Sequence, residues 1–213
     1  MILAAGRGER LRPITDELPK ALVEVNGESL LERHLKALRE SGVETVIINL
    51  GWLGEQIVQR AGSGSRFGLN IIYSPEYDNA LETGGGIYRA LPLLGSEPFW
   101  VINADTYTDF RLPEVRLDND MLGHLILVPT PPDKNNIDFE LQTGLIRNAK
   151  SPALTFSGFG LYRPELFADQ KPGRFPITPV LRRAADNGKL SGSLFEGLWE
   201  DVGTVERLKQ LNQ

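Results

Sequence analysis

Apolar residues follow two different spacings along the chain, one typical of buried strands and one typical of amphipathic helices. Short, mostly apolar runs predict buried strands, and the clearest of them occupy residues 2–5, 46–50, 70–73, 99–102 and 124–128. Helical spacing of apolar residues predicts helices at 30–38, 53–61, 87–94, 179–187 and 204–211. Strands that alternate with helices in this way are typical of α/β proteins.

Capping residues sharpen several helix boundaries. Ser29 can cap the first clear helix while Glu32 completes a capping box, and Gly42 can end that helix. Thr204 is expected to cap the last helix, which runs through Leu211. The helix that contains Ile87, Leu91 and Leu94 is expected to begin after a turn formed by the three glycines at 84–86. Residues 111–176 give a clear strand only at 124–128.

Composition limits the class of protein. A chain of 213 residues with 41% hydrophobic content can bury one sizeable core, so we expect a single domain over residues 1–213. The 23 basic and 28 acidic side chains give a net charge of −5 without a basic run, which argues against a nucleic-acid partner. The absence of cysteine excludes disulfides and thiolate metal sites.

No apolar stretch approaches the length that crosses a membrane, so no membrane partner is expected. The apolar run after Met1 is too short for a signal peptide, which favours a cytoplasmic protein. Because that run begins at once, we also expect a few residues before Met1 in the natural protein.

A loop suited to phosphate follows the first predicted strand. Gly6 and Gly8 are separated by one residue, so the backbone N–H groups of this loop can face an anion. Arg10, Arg12 and Lys20 follow and can converge on the same anion, most simply a polyphosphate. A dinucleotide-binding turn would need glycine where Leu11 stands, and a P-loop would need a wider glycine spacing and a Gly-Lys-Ser/Thr end. A surface turn with solvated arginines is the remaining alternative.

Two aspartates distant in sequence each follow an apolar run. Asp105 comes directly after the predicted strand 99–102, and Asp201 follows Leu198-Trp199. Ligands of open α/β sheets bind at the carboxyl ends of the strands, where carboxylates can hold Mg²⁺ together with phosphate oxygens. The alternative for each aspartate is a helix cap or a turn residue.

The motif Leu-Ala-Ala-Gly-x-Gly-x-Arg-Leu-x-Pro at 3–13, followed by Pro19-Lys20, resembles the signature of the sugar-1-phosphate nucleotidylyltransferases. Further motifs stand in family order over almost the whole chain, namely Leu-Glu-Thr-Gly-Gly-Gly at 81–86, Asn-Ala-Asp at 103–105, Thr-Phe-Ser-Gly at 155–158 and Trp-Glu-Asp-Val-Gly-Thr at 199–204. The chain departs from the family pattern at Ala104, where Gly is usual, and at Ala21, where Pro is common. Ala104 could narrow the sugar pocket by a methyl group.

The resemblance implies a Rossmann-like three-layer α/β/α sandwich with a mixed, mostly parallel central sheet. It implies Mg²⁺ on Asp105 and Asp201, with Mn²⁺ as a substitute, and a catalytic role for these residues with Arg10 and Lys20. It places the nucleotide on a set of residues from the loop and the glycine-rich segment, namely Ala4, Ala5, Gly6, Gly8, Glu9, Arg10, Lys20, Thr83 and Gly84. The backbone at Ala4, Ala5 and Gly84 would read the base, and Asn103 and Asp138 would contact the sugar.

The implied reaction transfers UMP from UTP to a sugar 1-phosphate, with N-acetylmuramate 1-phosphate as the expected acceptor in cell-wall sugar recycling and a monomer or weak dimer as the expected state. A phosphate nucleophile is already ionised at neutral pH, so no general base is needed. This agrees with the two histidines, His34 and His124, which we interpret as structural.

Several alternatives stay open at the level of sequence. Guanylyl or cytidylyl transfer to another sugar or alcohol phosphate uses the same motifs. A metal-dependent glycosyltransferase would normally show Asp-x-Asp after the central strand, where this chain has Asp105-Thr106-Tyr107. A catalytically silent nucleotide-binding module is disfavoured because Arg10, Lys20 and both aspartates are all present.

Overall fold

The structure is a computed structural model that describes residues 1–76, 80–131, 138–149 and 154–213. Within these ranges the strands are β1 (Ile2–Leu3), β2 (Glu24–Val25), β3 (Glu28–Ser29), β4 (Thr45–Leu50), β5 (Asn70–Pro75), β6 (Phe99–Asn103), β7 (Thr106–Thr108), β8 (Gly123–Val128), β9 (Phe139–Gln142), β10 (Leu145–Asn148), β11 (Thr155–Tyr162), β12 (Leu190–Leu194) and β13 (Trp199–Asp201). The α-helices are α1 (Ile14–Glu17), α2 (Leu30–Glu40), α3 (Gly54–Ala61), α4 (Glu82–Leu94), α5 (Thr178–Asp186) and α6 (Val205–Leu211).

Nine of these strands form one sheet in the order β5-β4-β1-β6-β11-β8-β12-β10-β9. Only β10 and β11 run against the common direction, so this sheet of the described residues is mixed and mostly parallel, as predicted. In β1, Ile2 lies opposite Ile48 of β4 and Ile102 of β6, and all three strands are parallel. Their carboxyl ends therefore meet at one edge of the sheet.

Helices cover both faces of this sheet, because neighbouring strand residues point to opposite sides. Ile47 belongs to a core that contains Ile87 of α4 and Leu181 of α5. Ile48 belongs to a second core that contains residues of α2 and α3, among them Leu35 and Ile57. The arrangement is the three-layer sandwich that the sequence predicted.

Local capping confirms two predicted helix starts. The Ser29 Oγ accepts a hydrogen bond from the Glu32 backbone N–H at 3.3 Å and donates one to the Glu32 carboxylate at 2.8 Å. The Thr204 Oγ1 accepts the Arg207 backbone N–H at 3.2 Å at the start of α6. These contacts satisfy amide groups that have no partner inside the helix.

The glycine-rich segment differs from the prediction. Gly84, Gly85 and Gly86 do not form a turn before α4, because the helix begins at Glu82 and includes all three in its first turns. Each glycine faces a close neighbour instead: a Cβ would lie 2.5 Å from the Phe175 ring at Gly84 and 2.2 Å from a backbone carbonyl oxygen at Gly85. Close packing rather than turn geometry therefore requires glycine at these positions.

Residues 111–176, where the sequence predicted only the strand at 124–128, also contain the strands β9, β10 and β11 in their described part. β11 lies between β6 and β8 and pairs antiparallel with both. Its pairing with β8 is interrupted between Phe156 and Gly160, so the buried strand is not regular along its length. Among the described residues, no helix is long and apolar enough to cross a lipid bilayer.

Candidate active site

The glycine loop lies at the carboxyl end of β1 and leads into a 3₁₀ turn at Glu9–Leu11. Gly8 has a φ of 68°, a left-handed conformation that favours glycine. The Gly8 carbonyl accepts a hydrogen bond from the buried Thr15 hydroxyl at 2.8 Å. This hydrogen bond fixes the buried side of the loop, while Gly6 is exposed to solvent.

Trp52 supports the same loop from the side. Its indole N–H donates to the Thr15 carbonyl at 2.8 Å, and the Arg7 guanidinium lies 3.8 Å from the centroid of its ring. Trp52 therefore packs against the side of the loop.

Four charged side chains converge beside this loop. The Lys20 ammonium lies 2.5 Å from Oδ2 of Asp105 and 3.7 Å from Oδ1 of Asp201. A guanidinium nitrogen of Arg10 lies 3.7 Å from Oδ2 of Asp201. The Lys20 side chain is 13% exposed whereas that of Arg10 is 69% exposed, so Arg10 is the more accessible cation.

Strand pairing brings the two aspartates together. Asp105 follows β6, and Asp201 ends β13, which pairs antiparallel with β7 so that Asp201 lies opposite Thr106. The Val202 backbone N–H donates to the Asp105 carbonyl at 2.9 Å and fixes the two segments side by side. A small core beneath them contains Val202, Val23 and Leu208 and joins α6 to the start of the chain.

An open cleft, which we call the nucleotide cleft, lies at the carboxyl ends of β1, β4 and β6. It is lined by residues 3–6, 20–21, 49, 76, 80, 82–83 and 103–105. Several lining residues were predicted as site residues, from the N-terminal motif and from the motifs at 81–86 and 103–105. They are Ala4, Ala5, Gly6, Lys20, Thr83, Asn103 and Asp105.

Other predicted residues lie elsewhere. Gly84 faces the Phe175 ring, and Gly8 and Glu9 lie in the loop beside the nucleotide cleft. The Asp138 carboxylate accepts the Phe156 backbone N–H at 3.0 Å. Arg12 does not join the convergent cations, because its guanidinium lies 3.2 Å from Asp16 four residues along the chain.

Two buried polar residues of the nucleotide cleft were missed by the sequence analysis. The Asn49 side chain accepts the Ala4 backbone N–H at 2.7 Å and donates to the Glu76 carboxylate at 2.7 Å. The other Glu76 oxygen accepts the Leu81 backbone N–H at 2.8 Å. A polar residue inside the apolar run 46–50 was a signal for Asn49, since buried polar groups need partners. Glu76 follows β5 without any motif that marks it.

Both histidines have partners within the fold. His34 is fully buried, with its Nε2 3.3 Å from the Thr106 hydroxyl, and burial lowers its pKa to about 4. His124 lies between the hydroxyls of Ser191 and Ser193, at 2.9 and 3.1 Å, and burial lowers its pKa as well. Across the described ranges, no three histidine, aspartate or glutamate side chains form a cluster that could hold a metal ion by themselves.

The site combines a glycine loop, convergent cations and two neighbouring carboxylates at the carboxyl edge of a mostly parallel sheet. This combination is typical of transferases that bind nucleotides. The chain belongs to the sugar-1-phosphate nucleotidyltransferase family: residues 1–110 match the MobA-like NTP transferase domain, and close homologues are N-acetylmuramate α-1-phosphate uridylyltransferases.

Two relatives illustrate this membership. The chain is 46% identical to the N-acetylmuramate α-1-phosphate uridylyltransferase of Neisseria meningitidis, covering 99% of this chain and 95% of the relative. It is 35% identical to the enzyme of the same name from Caulobacter vibrioides, covering 95% and 90%. The fold is similar to that of a UDP-glucose pyrophosphorylase crystallised with UDP-glucose, with a TM-score of 0.76, 20% identity and coverage of 99% of this chain and 95% of that one.

Proposed function

We propose that this protein transfers UMP from UTP to N-acetylmuramate 1-phosphate and releases pyrophosphate. The observation that carries the proposal is the convergence of Arg10, Lys20, Asp105 and Asp201 beside a glycine loop and a cleft. The choice of nucleotide and sugar is supported by the 46% identity to an enzyme with that name. Such a reaction would serve the reuse of cell-wall sugars in the cytoplasm.

The transfer requires two anions to approach each other. A phosphate oxygen of the sugar 1-phosphate forms a bond to the α-phosphorus of UTP. The bond from that phosphorus to the bridging oxygen of the β-phosphate breaks, and its electron pair leaves with pyrophosphate. Because the nucleophile is already ionised, the site needs alignment and charge neutralisation rather than a base.

The protein's own cations supply part of that neutralisation. The mostly buried position of Lys20 between the two carboxylates lets its ammonium hold phosphates in line without reaching into solvent. The exposed Arg10 lies beside the glycine loop and can contact the departing pyrophosphate as its charge grows. The fixed N–H groups of the loop contribute further donors.

The two carboxylates fit a divalent cation. Asp105 and Asp201 both direct an oxygen toward one ammonium group, so their oxygens already converge on a positive charge. Together they would hold Mg²⁺, which commonly takes one or two protein carboxylates plus substrate phosphate oxygens. When bound, this ion would neutralise phosphate charge during the transfer.

Product analysis tests the proposal. Purified protein is incubated with Mg²⁺, each of the four nucleoside triphosphates and a panel of sugar 1-phosphates, and pyrophosphate release is measured while mass spectrometry identifies the product. We expect UDP-N-acetylmuramate from UTP and N-acetylmuramate 1-phosphate. Absence of any nucleotide sugar across the whole panel would contradict nucleotidyl transfer.

A further inference from the structure

The connection between β4 and α3 meets the chain directly before the glycine loop. Gly51 approaches that chain so closely that a Cβ there would lie 2.4 Å from the Ala5 carbonyl oxygen. The Trp52 backbone N–H donates to the same oxygen at 3.4 Å. Leu53 then has a φ of 52° and a ψ of 31°, a left-handed conformation that is uncommon for a bulky residue. The connection thus adopts a costly backbone conformation where it meets the loop, as residues near functional sites often do.

The Trp52 side chain reaches the loop through two contacts. Its indole N–H donates to the Thr15 carbonyl at 2.8 Å, and the guanidinium of Arg7, between the two glycines, lies 3.8 Å from the ring centroid. In the part of the chain that the structure describes, the buried Nε of Arg7 has no hydrogen-bond partner. The ring face and Asp16, 3.7 Å away, hold this guanidinium. Trp52 therefore contacts both the beginning of the loop and the short helix after it.

Hydrogen bonds continue from Thr15 to the turn that carries Arg10. Thr15 is 1% exposed, and its hydroxyl donates to the Gly8 carbonyl at 2.8 Å. The same carbonyl accepts the Leu11 backbone N–H at 2.9 Å, which closes the 3₁₀ turn around Arg10. Because the Arg10 side chain is mostly exposed, its position depends on the backbone of this turn. A displacement of Thr15 is consequently transmitted to Arg10.

We infer that Trp52 is a positioning residue for the transfer, an inference that rests on the proposed function. Trp52 holds Thr15, and through Thr15 the turn at Gly8, so that Arg10 meets the departing pyrophosphate without rearrangement. A group that acts on developing charge is effective when it is already in place as the charge develops. Trp52 does not belong to the described lining of the nucleotide cleft, so it acts through the loop and not on the substrate.

Trp52→Phe tests the inference, because it keeps a ring beneath Arg7 and removes the indole N–H that holds Thr15. The turnover number is measured with UTP, Mg²⁺ and N-acetylmuramate 1-phosphate, and calorimetry gives the Kd for UTP. We expect kcat to fall at least about fivefold and the Kd to change less than about twofold, since the contact of Arg10 strengthens in the transition state. An unchanged kcat, or a loss confined to UTP affinity, would overturn the inference.

A double-mutant cycle with Arg10→Ala separates positioning from a general effect on the fold. If Trp52 acts through Arg10, Trp52→Phe should lower kcat less than about twofold once the guanidinium is absent. Equal factors in the two backgrounds would show that the residues act independently, which contradicts the inference. The wild type is measured in the same series, and absence of product from UTP in the wild type would count against the proposed function instead.

Trp100→Phe is the matched control, because Trp100 lies in β6 beside a separate cavity that is also lined by Met1 and Leu112. Its kcat should equal that of the wild type. A fall as large as that of Trp52→Phe would assign the loss to tryptophan replacement in general and refute the positioning role.

Hydrogen–deuterium exchange without substrates gives a readout that does not depend on activity. Amides in residues 6–17 should exchange faster in Trp52→Phe than in the wild type, while those of α5 should exchange equally in both. Equal exchange of residues 6–17 in the two proteins would show that Trp52 does not hold the loop.

Discussion

At the scale of single residues, two protein cations face two carboxylates at and beside the nucleotide cleft. Lys20 contacts both Asp105 and Asp201, and Arg10 contacts Asp201. A substrate that brings several negative charges can compete for the cations and leave the carboxylates to a divalent ion. The balance thus suits a site that works on polyphosphate together with a metal.

Asp105→Asn should lower kcat by about a hundredfold, which corresponds to about 3 kcal/mol of transition-state stabilisation, because it removes a ligand of the proposed ion. Chelator should abolish wild-type activity, and added Mg²⁺ or Mn²⁺ should restore it. Asp169→Asn, at an exposed position on another part of the surface, is the control. A loss below fivefold in Asp105→Asn, or full turnover in chelator, would place charge stabilisation elsewhere.

Arg10 and Lys20 should respond differently to removal. Arg10→Ala is expected to lower kcat roughly tenfold to a hundredfold with a smaller effect on nucleotide affinity, since its contact strengthens as pyrophosphate leaves. Lys20→Ala should weaken both binding and turnover. Steady-state kinetics and calorimetric binding of UTP separate the two effects, with Arg12→Ala as the control because Arg12 pairs with Asp16. A change in nucleotide affinity alone would refute the role given to Arg10.

At the scale of elements, α2 carries a buried titratable group against β7. Burial lowers the pKa of His34 from 6.5 to about 4, although the nearby Asp105 charge opposes the shift. In the unfolded chain His34 therefore becomes protonated as the pH falls through 6.5, whereas in the folded chain it becomes protonated only near pH 4. Stability contributed by neutral His34 is complete above pH 6.5 and is lost as the pH falls toward 4.

His34→Gln removes this titration and should flatten the acid side of the stability profile. Relative to the variant, the wild type should lose about 3 kcal/mol between pH 7.5 and pH 4. Urea unfolding at several pH values measures the difference, which cancels titrations common to both proteins. Parallel profiles for the two proteins would show that His34 does not carry the expected shift.

Whether the sequence could predict an element depends on whether that element carries a local signal. The parallel strands β4 and β6 and the capped helices α2 and α6 were predictable because continuous apolar runs and capping side chains are local signals. β11 was not, since its glycines and the interrupted pairing after Phe156 break any regular apolar pattern. Its place in the sheet depends on partners distant in sequence.

The candidate site likewise contains residues that the sequence could predict and residues that it could not. Asp105 and Lys20 could be named from motifs, and the structure brings them to 2.5 Å. Asn49 and Glu76 could not, because their significance lies in a bond between the ends of neighbouring strands rather than in their spacing along the chain. The glycines of α4 were recognised, but their reason, close packing against Phe175 and Glu76, is visible only in three dimensions.

At the scale of the whole molecule, the sandwich places every part of the site at one edge. The ends of β1, β4 and β6 form the floor, α4 supplies one wall, and the hydrogen-bonded pair β7 and β13 carries Asp201 to Asp105. Asn103 at the end of β6 packs against Gly158 of β11, so two neighbouring strands of the sheet meet at this edge.

The central claim is transfer of UMP to N-acetylmuramate 1-phosphate, and a comparison of acceptor specificity tests it most directly. With saturating UTP and Mg²⁺, kcat/KM is measured for N-acetylmuramate, N-acetylglucosamine and glucose 1-phosphates under identical conditions. We predict that the lactyl-bearing sugar exceeds the other two by at least about tenfold, because its extra polar group should gain contacts that they lack. An equal or higher value for N-acetylglucosamine or glucose 1-phosphate would contradict the muramate assignment.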